Sequence, residues 1–167
     1  TQTAAIYKCP ADLSVVKKNK KITPRIRSIS MNAVVEGADK NFGPRQYRWW
    51  IGVPPYRVYK KMTDITEPSP SQFWMLLDEH PDTINNGDMA IKCDAREAST
   101  QFVDYPASYH NGACGLSFAD GHAEIKMWTD SRTKLPASYG KGFAYKAESP
   151  NNPDITWLQE RTSALSN

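Results

Sequence analysis

The sequence predicts an α+β, β-rich fold, in which an antiparallel sheet with long loops is followed by a short C-terminal helix. Three observations carry this expectation. Twelve prolines and nine glycines are spread along 167 residues, and they cut the chain into short pieces that favour strands and turns over long helices. Leu116 to Trp128 alternates apolar and polar residues with a period of two around Asp120-Gly121, the pattern of a β-hairpin. Asn152-Pro153-Asp154, ahead of Trp157-Leu158, supplies the cap, the first-turn proline and the first-turn acid of a helix start.

Taken in order, residues 26–35 form the first expected strand, residues 73–77 a strongly apolar second and residues 89–93 a short third, each bounded by turn formers. In the hairpin, Leu116 and Phe118 on one arm and Ala123, Ile125 and Met127 on the other are expected to face the core, with Ser117, Glu124 and Lys126 in water. Residues 129–151 read as a long surface excursion. Residues 152–161 read as the helix, packed down through Trp157, Leu158 and Arg161. With no internal repeat or low-complexity segment, residues 1–167 are expected to form a single domain.

Hydrophobic residues make up 40% and charged residues 23%, the composition of a soluble globular chain. A net charge of +3 is modest, but Lys17, Lys18, Lys20, Lys21, Arg25, Arg27, Arg45 and Arg48 concentrate it in the N-terminal third. Such a run suits either a solvated loop or an anionic partner; no nucleic-acid motif accompanies it, so nucleic acid is not an expected partner. No stretch approaches the roughly 20 apolar residues of a membrane span, and residues 1–30 lack the order of a signal peptide. The chain begins at Thr1 without methionine, so any export or anchor segment is expected upstream. Cys9, Cys93 and Cys114 are too widely spaced for a Cys-x-x-Cys zinc pattern, which leaves one disulfide plus a free thiol, or three buried thiols.

Trp49-Trp50, with Arg45, Tyr47 and Arg48 before them, combine rings that stack on sugar faces with cations that pair with sulfate or carboxylate. These residues, with Trp74, are candidate contacts for an acidic polysaccharide, unless the rings fill the core. No His-Glu-x-x-His motif is present. Neither Ser108 nor Cys114 lies in a glycine-framed nucleophile turn, and Gly112-Ala113-Cys114-Gly115 does not open a phosphate loop. No catalytic residues are expected.

His110 is followed by nine residues and then Asp120-Gly121, within Pro106-Ala107-Ser108-Tyr109-His110-Asn111-Gly112 and Phe118-Ala119-Asp120-Gly121-His122. Together with Cys9-Pro10-Ala11-Asp12, Arg27 to Asn32, Asp78 to Asn85 and Trp157-Leu158-Gln159, this resembles the prepilin-type, processing-associated His-X9-Asp-Gly domain of planctomycete and verrucomicrobial pseudopilin-like proteins, over nearly the whole chain. The resemblance implies an extracytoplasmic head domain of a type II secretion or type IV pilus-like apparatus, with other pseudopilin or secretion subunits as partners. It places a methylation motif and a long hydrophobic helix, the membrane contact, upstream of Thr1.

In that motif Asp120-Gly121 make the turn, and His110 would hydrogen-bond the turn backbone or the Asp120 carboxylate. The alternative gathers His110, Asp120 and His122 with Asp78, Glu79, His80 and Asp82 into one metal site. Related secretion pseudopilins hold calcium in a head-domain loop, which implies calcium at Asp78, Asp82 or Asp120, although Asn86 stands where an acidic residue is expected.

Overall fold

The computed structural model describes residues 3–35, 51–52, 56–139 and 147–166. Strands β1 (Val15–Lys18) and β2 (Lys21–Pro24) pair antiparallel. Asn19 and Lys20 join them with φ of 50° and 65°, the two left-handed residues that a tight hairpin turn requires. The lysine-rich run is therefore a ribbon and not a loop.

The main sheet is built from β3 (Ile29–Asn32), β4 (Trp74–Asp78), β5 (Asp88–Met89), β7 (Ala113–Phe118) and β8 (Ala123–Met127), in the order β5-β3-β4-β7-β8. Its neighbours run antiparallel except β5, which lies parallel to β3 at one edge. The short strands β6 (Gln101–Phe102) and β9 (Ala147–Glu148) form a separate antiparallel pair. The third expected strand shrinks to two residues because its backbone is bonded elsewhere: Ala90 N–H donates to the Asp104 carboxylate at 2.8 Å, and Cys93 N–H to Ile51 O at 2.6 Å.

Helix α1 (Pro153–Thr162) starts as its sequence dictates, with the Asn152 side chain accepting from the Asp154 and Ile155 amides. The buried Asp154 carboxylate accepts from Thr129 N–H, Thr129 Oγ1 and Asp130 N–H at 2.9–3.1 Å, tying the helix start to the chain that leaves β8. The helix covers one face of the sheet. There Leu77, Leu116, Phe118 and Leu158 share one buried cluster, and burying each such side chain stabilises the fold by about 1.5–3 kcal/mol. Trp74 is fully buried in it, its indole N–H donating to Thr162 Oγ1 at 3.0 Å. Asn32 bridges sheet and helix, donating to Trp74 O at 3.1 Å and Thr162 O at 3.3 Å. Trp157 is half-buried beneath Lys126 and Arg161, with the edge of Trp128 against it.

The hairpin corrects the expected facing of β8. Its register pairs Ser117 with Ala123, Gly115 with Ile125 and Ala113 with Met127. A three-residue connection, residues 119–121, closes it, with Phe118 N–H donating to His122 O at 2.9 Å and Gly121 at φ 94°. One residue more than a two-residue turn moves one arm by one position and reverses every side chain on it. Ala123, Ile125 and Met127 therefore lie on the face away from α1, where Ile125 is 62% and Met127 51% exposed.

The described part of the expected excursion is fastened down. Leu135 packs with the cluster of Phe102, Tyr105 and Ile155, Ser138 donates through N–H and Oγ to Asp82 Oδ2, and residues 147–148 are strand β9. Among the described residues, no helix is long and apolar enough to cross a membrane.

Candidate functional site

Strand β4 alternates its faces so that Leu77 enters the core and Asp78, paired with Ile29, lies on the face away from α1. Gly115 of β7 lies beside it; a Cβ at Gly115 would stand 3.2 Å from Asp78 Oδ2. The turn before β7 passes through Asn111 and Gly112 at φ of 54° and 82° and sets His110 above the end of β4. The N-terminal segment arrives from the other side. Its 3-10 turn, Ala4–Tyr7, is held by Ser28 N–H donating to Tyr7 O at 2.9 Å, and Cys9 N–H donates to Ser28 Oγ at 2.7 Å.

Cys9, Asp78 and His110 meet at this corner. Cys9 Sγ lies 3.6 Å from His110 Nε2, and Asp78 Oδ2 lies 3.6 Å from the same nitrogen. Cys9 and Asp78 are buried and His110 is partly exposed, so the corner has one open side. Ser28 Oγ, which receives the Cys9 amide, also donates to Asp78 Oδ1 at 3.3 Å. Burial pushes the Cys9 thiol up. Burial also raises the Asp78 carboxyl, while His110 and Ser28 pull it back.

These are the residue types of a nucleophilic triad, but a triad uses both ring nitrogens, one for the nucleophile and one for the orienting carboxylate. Here both partners approach Nε2. That arrangement neither orients the imidazole nor activates the thiol. It suits three ligands around one ion, and this is the group of His, Cys, Asp or Glu ligand atoms that converges among the described residues.

The other candidates separate into distinct places. His110 contacts Cys9 and Asp78 and not Asp120, because β7 stands between them, and six extended residues span roughly 20 Å. Asp120 sits at the hairpin tip with His122 Nδ1 at 2.6 Å, and that ring stacks on Phe118. The pairing holds the Asp120 carboxyl below its usual range. Asp82 receives Ser138, and its own N–H donates to His80 Nδ1 at 3.2 Å, leaving His80 Nε2 to meet Leu135 O at 3.1 Å. Burial lowers the His80 pKa, so this ring is a neutral pin for the loop over it. Glu79 is fully buried, bonded by Ser30 Oγ and by Thr83 Oγ1; burial and the nearby Asp104 charge push it up to about 8. Asp78, Asp82 and Asp120 thus occupy three different environments. Trp74, a candidate sugar contact, is core and cannot touch a ligand. Arg45, Tyr47, Arg48, Trp49 and Trp50 lie outside the described residues.

Beside the corner the sheet face away from α1 forms a groove of about 490 Å³, lined by Ile29, Leu76, Asp78, Gly115, Ala123 and Ile125 among others. It is predominantly apolar, and the sequence did not point to it. Cys9 was also missed as a ligand. It lies 101 residues from His110, so no local spacing signals it. All three cysteines are free and buried.

No family model, curated protein or solved structure matches this chain.

Proposed function

We propose that the chain is the exported, non-catalytic head domain of a type II secretion or type IV pilus-like pseudopilin, working outside the cytoplasm, and that its open sheet face seats an apolar helix of that assembly. The observation that carries this reading is the apolar groove on β4, β7 and β8, where Leu76 and Ile125, with Met127 beside them, project away from α1. An antiparallel sheet covered on one side ordinarily turns polar residues to water on the other. A contiguous apolar patch there marks an interaction surface.

The resemblance carried by the His110, Asp120-Gly121 pattern and its flanking segments implies a long apolar helix in the same precursor, and such a helix matches the apolar chemistry of this face. Covering Leu76, Ile125 and Met127, which are already partly buried, would contribute roughly 1 kcal/mol or more each. The corner of Cys9, Asp78 and His110 lacks the relay geometry of a Cys-His nucleophile. An acidic polysaccharide remains a partner only through Arg45, Tyr47, Arg48, Trp49 and Trp50, since Trp74 is withdrawn from it.

The test is photo-cross-linking in cells that make the whole precursor, with a photoreactive amino acid at position 125. Adducts with an apolar helix, of the same polypeptide or of a neighbouring pilin-like subunit, are expected. Adducts with neither, together with normal assembly of an Ile125→Asp variant, overturn the proposal.

A further inference from the structure

We propose that Cys9, Asp78 and His110 form a mononuclear site for a zinc-type divalent ion, with a fourth position open to solvent or to an exogenous donor. A thiolate, an imidazole and a carboxylate are all ligands that zinc accepts, at about 2.3 Å for sulfur and about 2.0–2.2 Å for nitrogen and oxygen. At a tetrahedral angle those bond lengths place sulfur and nitrogen about 3.6 Å apart, and nitrogen and oxygen about 3.3–3.5 Å apart. The corner has 3.6 Å for Cys9 Sγ to His110 Nε2 and 3.6 Å for Asp78 Oδ2 to His110 Nε2, with all three atoms within 4.8 Å of one another. Both separations from His110 Nε2 match a tetrahedral ion to within a few tenths of an ångström.

Hydrogen bonding alone does not account for this convergence. One imidazole nitrogen either donates one hydrogen or accepts one, so Nε2 satisfies the thiol or the carboxylate but not both. An ion between the three satisfies all of them. The surroundings supply what a metal corner needs beyond its ligands. Ser28 Oγ grips both the Cys9 amide and Asp78 Oδ1, and Gly115 keeps a side chain away from Asp78 Oδ2. The sulfur ligand argues against calcium, which takes oxygen.

The ion would fasten the N-terminal segment to the sheet at the end of the apolar groove, which Asp78 lines. The inference does not depend on what fills the groove.

The test uses the reduced, tag-free chain, loaded with zinc or cobalt(II) and dialysed against metal-free buffer. One equivalent of zinc per chain is expected by mass spectrometry of metals. With cobalt, a thiolate-to-metal charge-transfer band and the intense visible bands of a four-coordinate ion are expected. Cys9→Ser and His110→Gln should weaken binding by more than about 100-fold, whereas Ser28→Ala, which removes only a supporting contact, should weaken it by about 10–100-fold. His122→Gln, at the hairpin tip, should leave it unchanged. Failure of the unaltered chain to retain an equivalent, a cobalt spectrum without the thiolate band, or undiminished binding in a folded Cys9→Ser chain overturns the site. Should Cys9→Ser not fold, the cobalt spectrum of the unaltered chain decides.

Discussion

Gly115 faces Ile125 across β7 and β8 while Asp78 Oδ2 stands on its other side, so a Cβ at this one position would meet the carboxylate at 3.2 Å and Ile125 Cδ1 at 3.8 Å. Strand propensity alone favours Gly115→Val, yet the site has no room on the Asp78 side. Crowding of this kind costs about 1–3 kcal/mol, and urea denaturation should find the variant less stable by that amount. A gain in stability would mean that the corner relaxes freely.

The hairpin register predicts a contrast between two apolar residues that alternation alone treats alike. Leu116 is buried and Ile125 is exposed, so Leu116→Ala should cost about 2–5 kcal/mol, whereas Ile125→Asp in the isolated chain should stay within about 0.5 kcal/mol. Thermal unfolding of both variants checks it. A large loss at position 125 would place Ile125 in the core and contradict the register.

Double-mutant cycles distinguish a motif that acts as one unit from one that only spans a strand. His110 and Asp120 lie at opposite ends of β7, and substitutions there should add to within about 0.3–0.5 kcal/mol. His110 and Asp78 are in contact, and the same cycle should give a coupling of about 0.5–3 kcal/mol.

Asp104 sets a pH dependence. Burial, helped by the Asp88 charge, raises its carboxyl from 3.8 to about 6 against the pull of the Ala90 amide. The folded chain therefore holds this proton more tightly than the unfolded chain, and the contribution is present below pH 4 and lost as pH rises towards 6. Two units correspond to a fall on the order of 3 kcal/mol. Asp104→Asn keeps an oxygen for the Ala90 amide and should flatten the profile in that window when stability is measured from pH 3.5 to 7. An unchanged slope would assign the dependence to other groups.

At the helix start, Asn152→Ala removes the acceptor for two helix amides and the buried contacts of the Asn152 amide group with Thr133 Oγ1 and Ser149 Oγ at 3.2 and 3.0 Å. A loss of about 1–2 kcal/mol is expected, read from the denaturant midpoint. A smaller change would mean that water replaces the cap.

Elements whose signal is local were legible in the sequence: Asn152-Pro153 announced α1, and period-two alternation announced β7 and β8. What escaped is decided by how segments meet. Asp120-Gly121 marks a turn, but its length decides which face Ile125 takes, and alternation is indifferent to that choice. The β1–β2 ribbon was hidden by charge, because Asn19 and Lys20 make a tight turn without glycine. Cys9 and His110 are brought together by Ser28 and by the backbone before β7, and neither contact leaves a spacing to read. Trp74 shows the converse limit, since residue type alone does not separate a core indole from a sugar platform.

The three-residue turn also bears on how such chains diversify. Removing Ala119 while the loop keeps three residues would draw His122 into it, pair Phe118 with Ala123 and bring Ile125 and Met127 to the side of Leu116, withdrawing the groove without changing one residue of either strand. A deletion of that kind looks like harmless loop drift when sequences are compared. In this hairpin it would separate chains that need a partner over the sheet from chains that stand alone.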